Sequence, residues 1–317
     1  MAKKFNLDAD IDSALFADDT TLQMYGLDYE TASKTCTFII EWLTKWCDLN
    51  RVEINWSKTF TMIVTNRSIT LPKIVKCGLI IIEVIDSFKL LGVIIDNKLS
   101  FKEHTAKVCI QINKILYSIK RIFYLSFDVK IQFFKTFILP YFDYCLSIII
   151  YFCQEAIQKL SKILYICLEK LFKFNFNSMS HEEINVVLQQ YNLFSFHHRC
   201  VYRLSLFAFN IRNSNNSPPQ LRDQLALKTN KFCYNLREKS LPLINQIDHS
   251  TKYGERTFTN FFANFFNKIE INRNLLLINN VELFKTFLLL NLNNLVLDFI
   301  KIFTKFNFDH FLFVYSY

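Results

Sequence analysis

Glycine is nearly missing from this chain, with 4 residues among 317. Loops that wrap a nucleotide's phosphates are built on glycine, and neither GxGxxG nor GxxxxGK occurs. That excludes the common phosphate-cradling loops. Proline is almost as scarce, at 5. None of the nine cysteines forms C-x-x-C, and His197-His198 near Cys200 lacks zinc-knuckle spacing, so a zinc ribbon or knuckle is excluded. A secretory signal is not evident at Met1, and the cysteine number is odd. Most of these thiols sit in apolar runs, as buried ones do. Together these features read as a reducing, intracellular setting, cytoplasmic or nuclear. An uncharged apolar run of about 18 residues is also missing. Phe133–Cys153 is interrupted by Lys135, Pro140 and Asp143, and Leu275–Phe303 by Glu282, Lys285, Asp298 and several Asn. Both are expected to be buried helices, with no membrane partner.

What is present is bulk and positive charge. The chain is 51% hydrophobic and 16% aromatic, with 34 Phe, so it can bury a core. Its Phe, Asn, Lys, Ile and Tyr share A/T-rich codons, a bias of base composition rather than chemistry. Net charge is +9, unevenly placed. Residues 1–97 hold 10 Lys/Arg against 13 Asp/Glu, whereas residues 98–135 hold 8 against 2. A compact basic segment after an acidic head suits a phosphate-backbone partner. The plainer reading is a solvated helix face.

The acidic head contains Leu15-Phe16-Ala17-Asp18-Asp19-Thr20-Thr21-Leu22. Its apolar arms read as strands and the carboxylates as the turn between them. Two like charges at one tip repel, and a hard cation such as Mg²⁺ would offset them. A polar turn is the plainer alternative. Asp8, Asp10, Asp12 and Asp19 would occupy positions 1, 3, 5 and 12 of a calcium loop. Ser13 then stands where glycine is needed and Phe16 at a ligand position, which rejects that loop.

Residues 30–48 carry Ala32, Cys36, Ile39, Ile40, Leu43, Trp46 and Cys47 at helical spacing. Glu53–Asn55 and Thr59–Thr65 read as strands, and Leu79–Ile85 with Leu90–Ile95 as a second hairpin. From residue 102 the pattern turns helical. Val108, Ile112, Ile115, Leu116, Ile119, Ile122 and Phe123 make one face, and Lys107, Lys114 and Arg121 recur every seven residues on another. Further helical periodicity covers 128–139, 154–174, 182–191 and 198–211. Asn213–Pro219 is a loop. Phe258, Phe261, Phe262, Phe265, Phe266 and Ile269 form a stripe that reads as core before it reads as a base-stacking platform.

The Phe-Ala-Asp-Asp stretch resembles the [Phe/Tyr]-Ala-Asp-Asp box of reverse transcriptases in the form typical of non-LTR retrotransposons. The motifs after it follow that family's order. Trp46, Asn50, Ile54-Asn55, Lys58-Thr59 and Met62 resemble its "W…N…iN..KT..M" block. Phe88-Lys89-Leu90-Leu91-Gly92-Val93 resembles "KYLGV", with Leu90 where Tyr is usual. Asp96 through Phe101, then His104, resemble "D..LSF..H". Ile138-Leu139-Pro140-Tyr141-Phe142-Asp143-Tyr144 resembles "i.P.leY", and Tyr253–Phe258 a "yG.RsF" segment. The family's Trp-Asn-x-Leu-Pro is replaced by Phe266-Asn267-Lys268-Ile269. The likeness covers the first half well and the second loosely.

The resemblance implies an α+β chain: a truncated polymerase palm over 1–97 (hairpin, helix, strands), a mainly α-helical thumb over 98–213, and a C-terminal helical region over 214–317. It implies RNA-directed DNA synthesis, in which two Mg²⁺ ions about 3.5–4 Å apart activate the primer hydroxyl and neutralise the leaving pyrophosphate. Asp18 would be the main metal ligand and Asp19 the supporting one, with Lys58 at the leaving phosphates. Lys89 and Gly92 would lie in the primer-gripping hairpin. Lys107, Lys114 and Arg121 would hold the RNA and DNA template–primer, with no small-molecule cofactor. Only 17 residues precede Asp18, so the family's other metal-binding Asp, fingers and endonuclease are not among these 317 residues. The expectation is therefore a chain that does not polymerise alone but binds template–primer. The alternative is a non-catalytic decayed remnant, or a basic helical nucleic-acid-binding protein. Oligomeric state is not legible.

Overall fold

The computed structural model describes residues 11–17, 19–24, 26, 28–65, 70, 72–118, 124–174, 179, 181–227, 243–244, 246, 258–267 and 275–305. It is an α+β mixture, mostly helical, with small sheets. The described residues up to Ser100 form one compact unit and those from Phe101 onward another.

In the first unit, β1 (Ile11–Phe16) and β2 (Asp19–Met24) make an antiparallel hairpin, with Phe16 opposite Asp19 and Ile11 opposite Met24. Helix α1 (Tyr29–Asn50) begins where the Asp28 carboxylate accepts from the Thr31 amide at 2.8 Å. That satisfies one of the amides a helix start leaves open. It ends at Arg51, whose φ of 56° is left-handed and whose N–H turns back to the carbonyls of Cys47 and Asp48. The expected helix over 30–48 is thus observed, slightly longer. Its buried side includes Cys36, Ile39, Ile40 and Cys47, while Trp46 is largely exposed.

Helix α1 packs on a small mixed sheet ordered β3-β5-β4. Its strands are β3 (Phe60–Thr61), β4 (Ile74–Cys77) and β5 (Ile80–Val84). Cys36 and Ile40 of the helix meet Val75, Cys77 and Ile82 of the sheet, with Met24, Trp56, Ile80 and Val84 around them. A second hairpin joins β6 (Ser87–Leu90) to β7 (Val93–Asp96).

These pairings correct the expected hairpin between Leu79–Ile85 and Leu90–Ile95. β5 instead turns back on β4 across Gly78, whose φ of +63° suits a residue without Cβ. β7 turns back on β6 across Leu91 and Gly92, at φ 45° and 91°. Consecutive positive φ values are the signature of a two-residue hairpin turn. The expected strand at Glu53–Asn55 does not form. The chain makes a 3₁₀ turn at Trp56–Lys58, and of Thr59–Thr65 only β3 pairs.

The second unit is helical. It comprises α2 (Lys102–Ser118), α3 (Phe127–Phe133), α4 (Leu139–Asp143), α5 (Gln154–Phe172), α6 (His181–Gln190), α7 (Phe196–Asn213), α8 (Pro219–Gln224), α9 (Phe258–Asn267), α10 (Val281–Leu290) and α11 (Leu292–Lys305). A π-helical turn, Phe134–Ile138, links α3 to α4. It ends two residues before Pro140, which has no N–H to continue an α-helical ladder. Helix α5 is a core element. It buries Ala156, Leu160, Leu164, Cys167, Leu168 and Leu171, and packs on α2, α3 and α7. Helix α7 also meets α8, α10 and α11 within this compact unit. The Phe stripe near 258–269 is core: Phe261, Phe262, Phe265 and Phe266 of α9 are all buried. Among the described residues, no helix is long and apolar enough to cross a membrane.

Candidate functional site

The hairpin tip differs in detail from the expectation. Asp19 is not a turn residue but the first residue of β2, opposite Phe16, and it is exposed. Ala17 is left-handed, at φ 54°. For a residue with a Cβ that conformation costs on the order of 1 kcal/mol. Asp18 lies outside the described residues. On the arms, Leu15 and Phe16 are 74% and 60% exposed.

A divalent magnesium ion asks for several hard oxygen ligands held in near-octahedral order. At this tip Asp19 is the carboxylate that the described residues supply. Among those residues, no cluster of three or more His, Cys, Asp or Glu could hold a metal. Asp19 thus supplies one hard oxygen ligand of the kind such an ion takes.

Lys58 closes the 3₁₀ turn after Asn55 and is exposed. The turn is held by a 3.0 Å bond from the Lys58 amide to the Asn55 carbonyl, and by Thr59 Oγ1 donating to the same carbonyl at 2.9 Å. Lys89 lies outward on β6, and Gly92 forms the tip of the β6–β7 hairpin. Phe60 of β3 and Phe88 of β6 have ring centroids 5.4 Å apart. Among the described residues, no ion pair joins Asp19 to Lys58 or Lys89.

The "D..LSF..H" segment has a structural explanation. Asp96 accepts from the amides of Lys98 and Ser100 at 3.1 and 2.9 Å, and from the Ser100 hydroxyl at 3.2 Å. That ties the turn leaving β7. In the second unit, Phe101 stacks on Phe152 at 4.7 Å, and His104 meets the same ring edge-on at 6.0 Å.

Helix α2 carries the basic stripe. Lys107 and Lys114 are exposed, while Ile112 and Leu116 are buried on the side that packs within the second unit. Neither lysine enters an ion pair with a described residue. Lys102 does, meeting Glu155 at 2.5 Å, with Lys159 on the other oxygen of that carboxylate at 3.1 Å. Those cations hold the Glu155 carboxyl below its usual range. Arg121 lies outside the described residues, and so does the Tyr253–Phe258 segment up to residue 257.

Two polar clusters were not anticipated from the sequence. Asp143 receives Arg199 and Arg203 of α7. Ser195, the N-cap of α7, bonds His198 Nδ1 at 2.6 Å, and His198 Nε2 reaches Asn293 Oδ1 at 2.9 Å. Gln189 Nε2 donates to that same Oδ1 at 3.3 Å, which makes Oδ1 an acceptor. His198 therefore carries its proton on Nε2 and accepts from the Ser195 hydroxyl on Nδ1. Only the Arg199/Arg203 spacing of four on one helix hinted at the first cluster. The second joins residues nearly a hundred apart, beyond the reach of local pattern.

Comparison of the chain with protein-family models, with curated proteins and with solved structures finds no match.

Proposed function

We propose that this chain binds a nucleic-acid template–primer along α2, as the rear portion of a reverse transcriptase of the non-LTR type. The observation that carries the reading is the outward pair Lys107 and Lys114. They are two turns apart on one helix, exposed, and unengaged by any described carboxylate. Two such cations about 10 Å apart along a helix can follow a phosphate backbone. Contacts of this kind give affinity without reading sequence. The ordered series of motifs from Phe16 to Tyr144 supports the family assignment, and with it the roles of Asp18, Asp19 and Lys58 as polymerase residues and of Mg²⁺ as their ion. The hairpin at Lys89–Gly92 is the element the family uses against a primer.

Binding of the purified chain to an RNA–DNA hybrid, followed as salt is raised, tests this. Affinity is expected to fall linearly with log salt. Replacing Lys107 and Lys114 by Ala should lower the slope by about one for each phosphate that is no longer neutralised. Arg121→Ala should act in the same direction. Absence of binding at low salt, or a slope that these substitutions leave unchanged, would overturn the reading.

A further inference from the structure

Cys36 and Cys77 lie 41 residues apart in sequence, yet their sulfur atoms are 3.8 Å apart. Cys36 stands in α1 and Cys77 ends β4. Both are buried, at 6% and 1% exposure, in the cluster that joins the helix to its sheet. Cys47, on the same helix, is also buried but stands outside that cluster.

We propose that Cys36 and Cys77 form an oxidation-sensitive clasp, which hydrogen peroxide converts to a disulfide that fastens α1 to β4. At 3.8 Å the sulfurs touch but are not bonded; a disulfide needs about 2.05 Å. Cys36 is the less enclosed of the two and meets the oxidant first. Its sulfur, as thiolate, attacks one peroxide oxygen, breaks the O–O bond and becomes a sulfenic acid, while one water leaves. Cys77 sulfur then attacks the Cys36 sulfur and displaces the hydroxyl, which departs as a second water with the Cys77 proton. Two thiols are oxidised by two electrons and one peroxide is reduced to two waters. Burial, together with the neighbouring Cys77, raises the Cys36 thiol's pKa to about 12. The first step is therefore slow. Once formed, it encloses the segment carrying Lys58 and β3 in a covalent ring, which limits how far the unfolded chain can open.

Hydrogen peroxide is the probe, applied to the full chain under native conditions, with peptide mapping by mass spectrometry. The expected product is a peptide pair linked through Cys36 and Cys77, lighter than the separate peptides by two hydrogens. Dithiothreitol should return it to the two separate peptides, and it should be missing from Cys36→Ser and Cys77→Ser. The oxidised chain is expected to melt at a higher temperature than the reduced one. Recovery of Cys36 as sulfinic acid without a link would overturn the proposal. So would a cross-link to Cys47 in its place, or an unlinked pair after the partly exposed Cys109 and Cys145 have oxidised. The map of the unmutated chain decides the matter even if a serine variant fails to fold.

Discussion

Arg199 grips Asp143 with two nitrogens, Nε at 3.0 Å and Nη2 at 2.6 Å to the same oxygen, while Nη2 also lies 2.5 Å from the second oxygen. Arg203, one turn further along α7, adds a bond at 2.7 Å. The two guanidinium groups fix the end of α4 against α7. Side-chain exposure is 11% for Arg199 and 17% for Asp143, against 48% for Arg203. Removing a partly buried partner leaves the Arg199 guanidinium without its carboxylate. Asp143→Ala is therefore expected to destabilise the second unit by about 2 kcal/mol, and Arg203→Ala by less than about 1 kcal/mol. Urea denaturation of the unmutated chain and the two variants gives the comparison, and equal losses for both variants would contradict it.

Two histidines of the same unit are held neutral by their surroundings. Burial lowers the pKa of His198, against a smaller opposing effect of its bond to Asn293. Burial also lowers that of His104, and the nearby Lys107 ammonium adds to it. In the unfolded chain both titrate near about 6.5. The folded values lie lower, so the unfolded state takes up more protons as pH falls below that point. Stability should be full above about pH 6.5 and decline as pH drops toward the folded values. Urea midpoints measured from about pH 5 to about pH 8 are expected to show this slope. His198→Gln and His104→Gln should each flatten it.

Unit one has a small core and much exposed apolar surface. Cys36, Ile40, Val75, Cys77 and Ile82 form its buried cluster, while Leu15, Phe16, Leu49, Leu79 and Ile81 face solvent. Amide exchange should therefore be fastest through residues 15–95 and slowest in α5 and α7, where the buried apolar contacts are densest. Strongest protection within 15–95 would refute this ranking.

The end of α1 offers a stabilising substitution. Arg51 adopts the left-handed conformation that glycine takes without steric penalty. Arg51→Gly is expected to raise stability by up to about 1 kcal/mol, less the entropy that glycine adds to the unfolded chain. At the other end, Asp28→Ala should cost about 1 kcal/mol through removal of the bond to the Thr31 amide. Thermal melts of the two single variants should move in opposite directions.

Periodicity made the long helices legible. Cys36, Ile39 and Ile40 announced α1, and Ile112 with Leu116 announced α2, because a repeat of about 3.6 is written directly in the chain. Strand partners were not, since pairing depends on turns rather than on runs. Leu91-Gly92 lies inside what reads as the start of a strand, and its positive φ values turn the chain there instead. The hairpin bearing Asp19 was visible, but its register was not, and register decides that Asp19 stands in β2. At the candidate interface, the seven-residue spacing of Lys107 and Lys114 was sufficient to place both on the exposed side of α2. The Cys36–Cys77 contact and the Ser195–His198–Asn293 chain arise only when distant segments meet, so no local window contains them.

The parallel pairing of β3 with β5 sets an order of assembly. The hairpins β1–β2, β4–β5 and β6–β7 join neighbours in sequence, and closing such short loops is fast. β3 has only Phe60 and Thr61 to offer, and they find Glu83 and Val84 beyond the whole of β4. That longer closure must be completed before its few hydrogen bonds offset it. β3, and the Lys58 turn beside it, is thus a late arrival in folding and the first part of its sheet to leave.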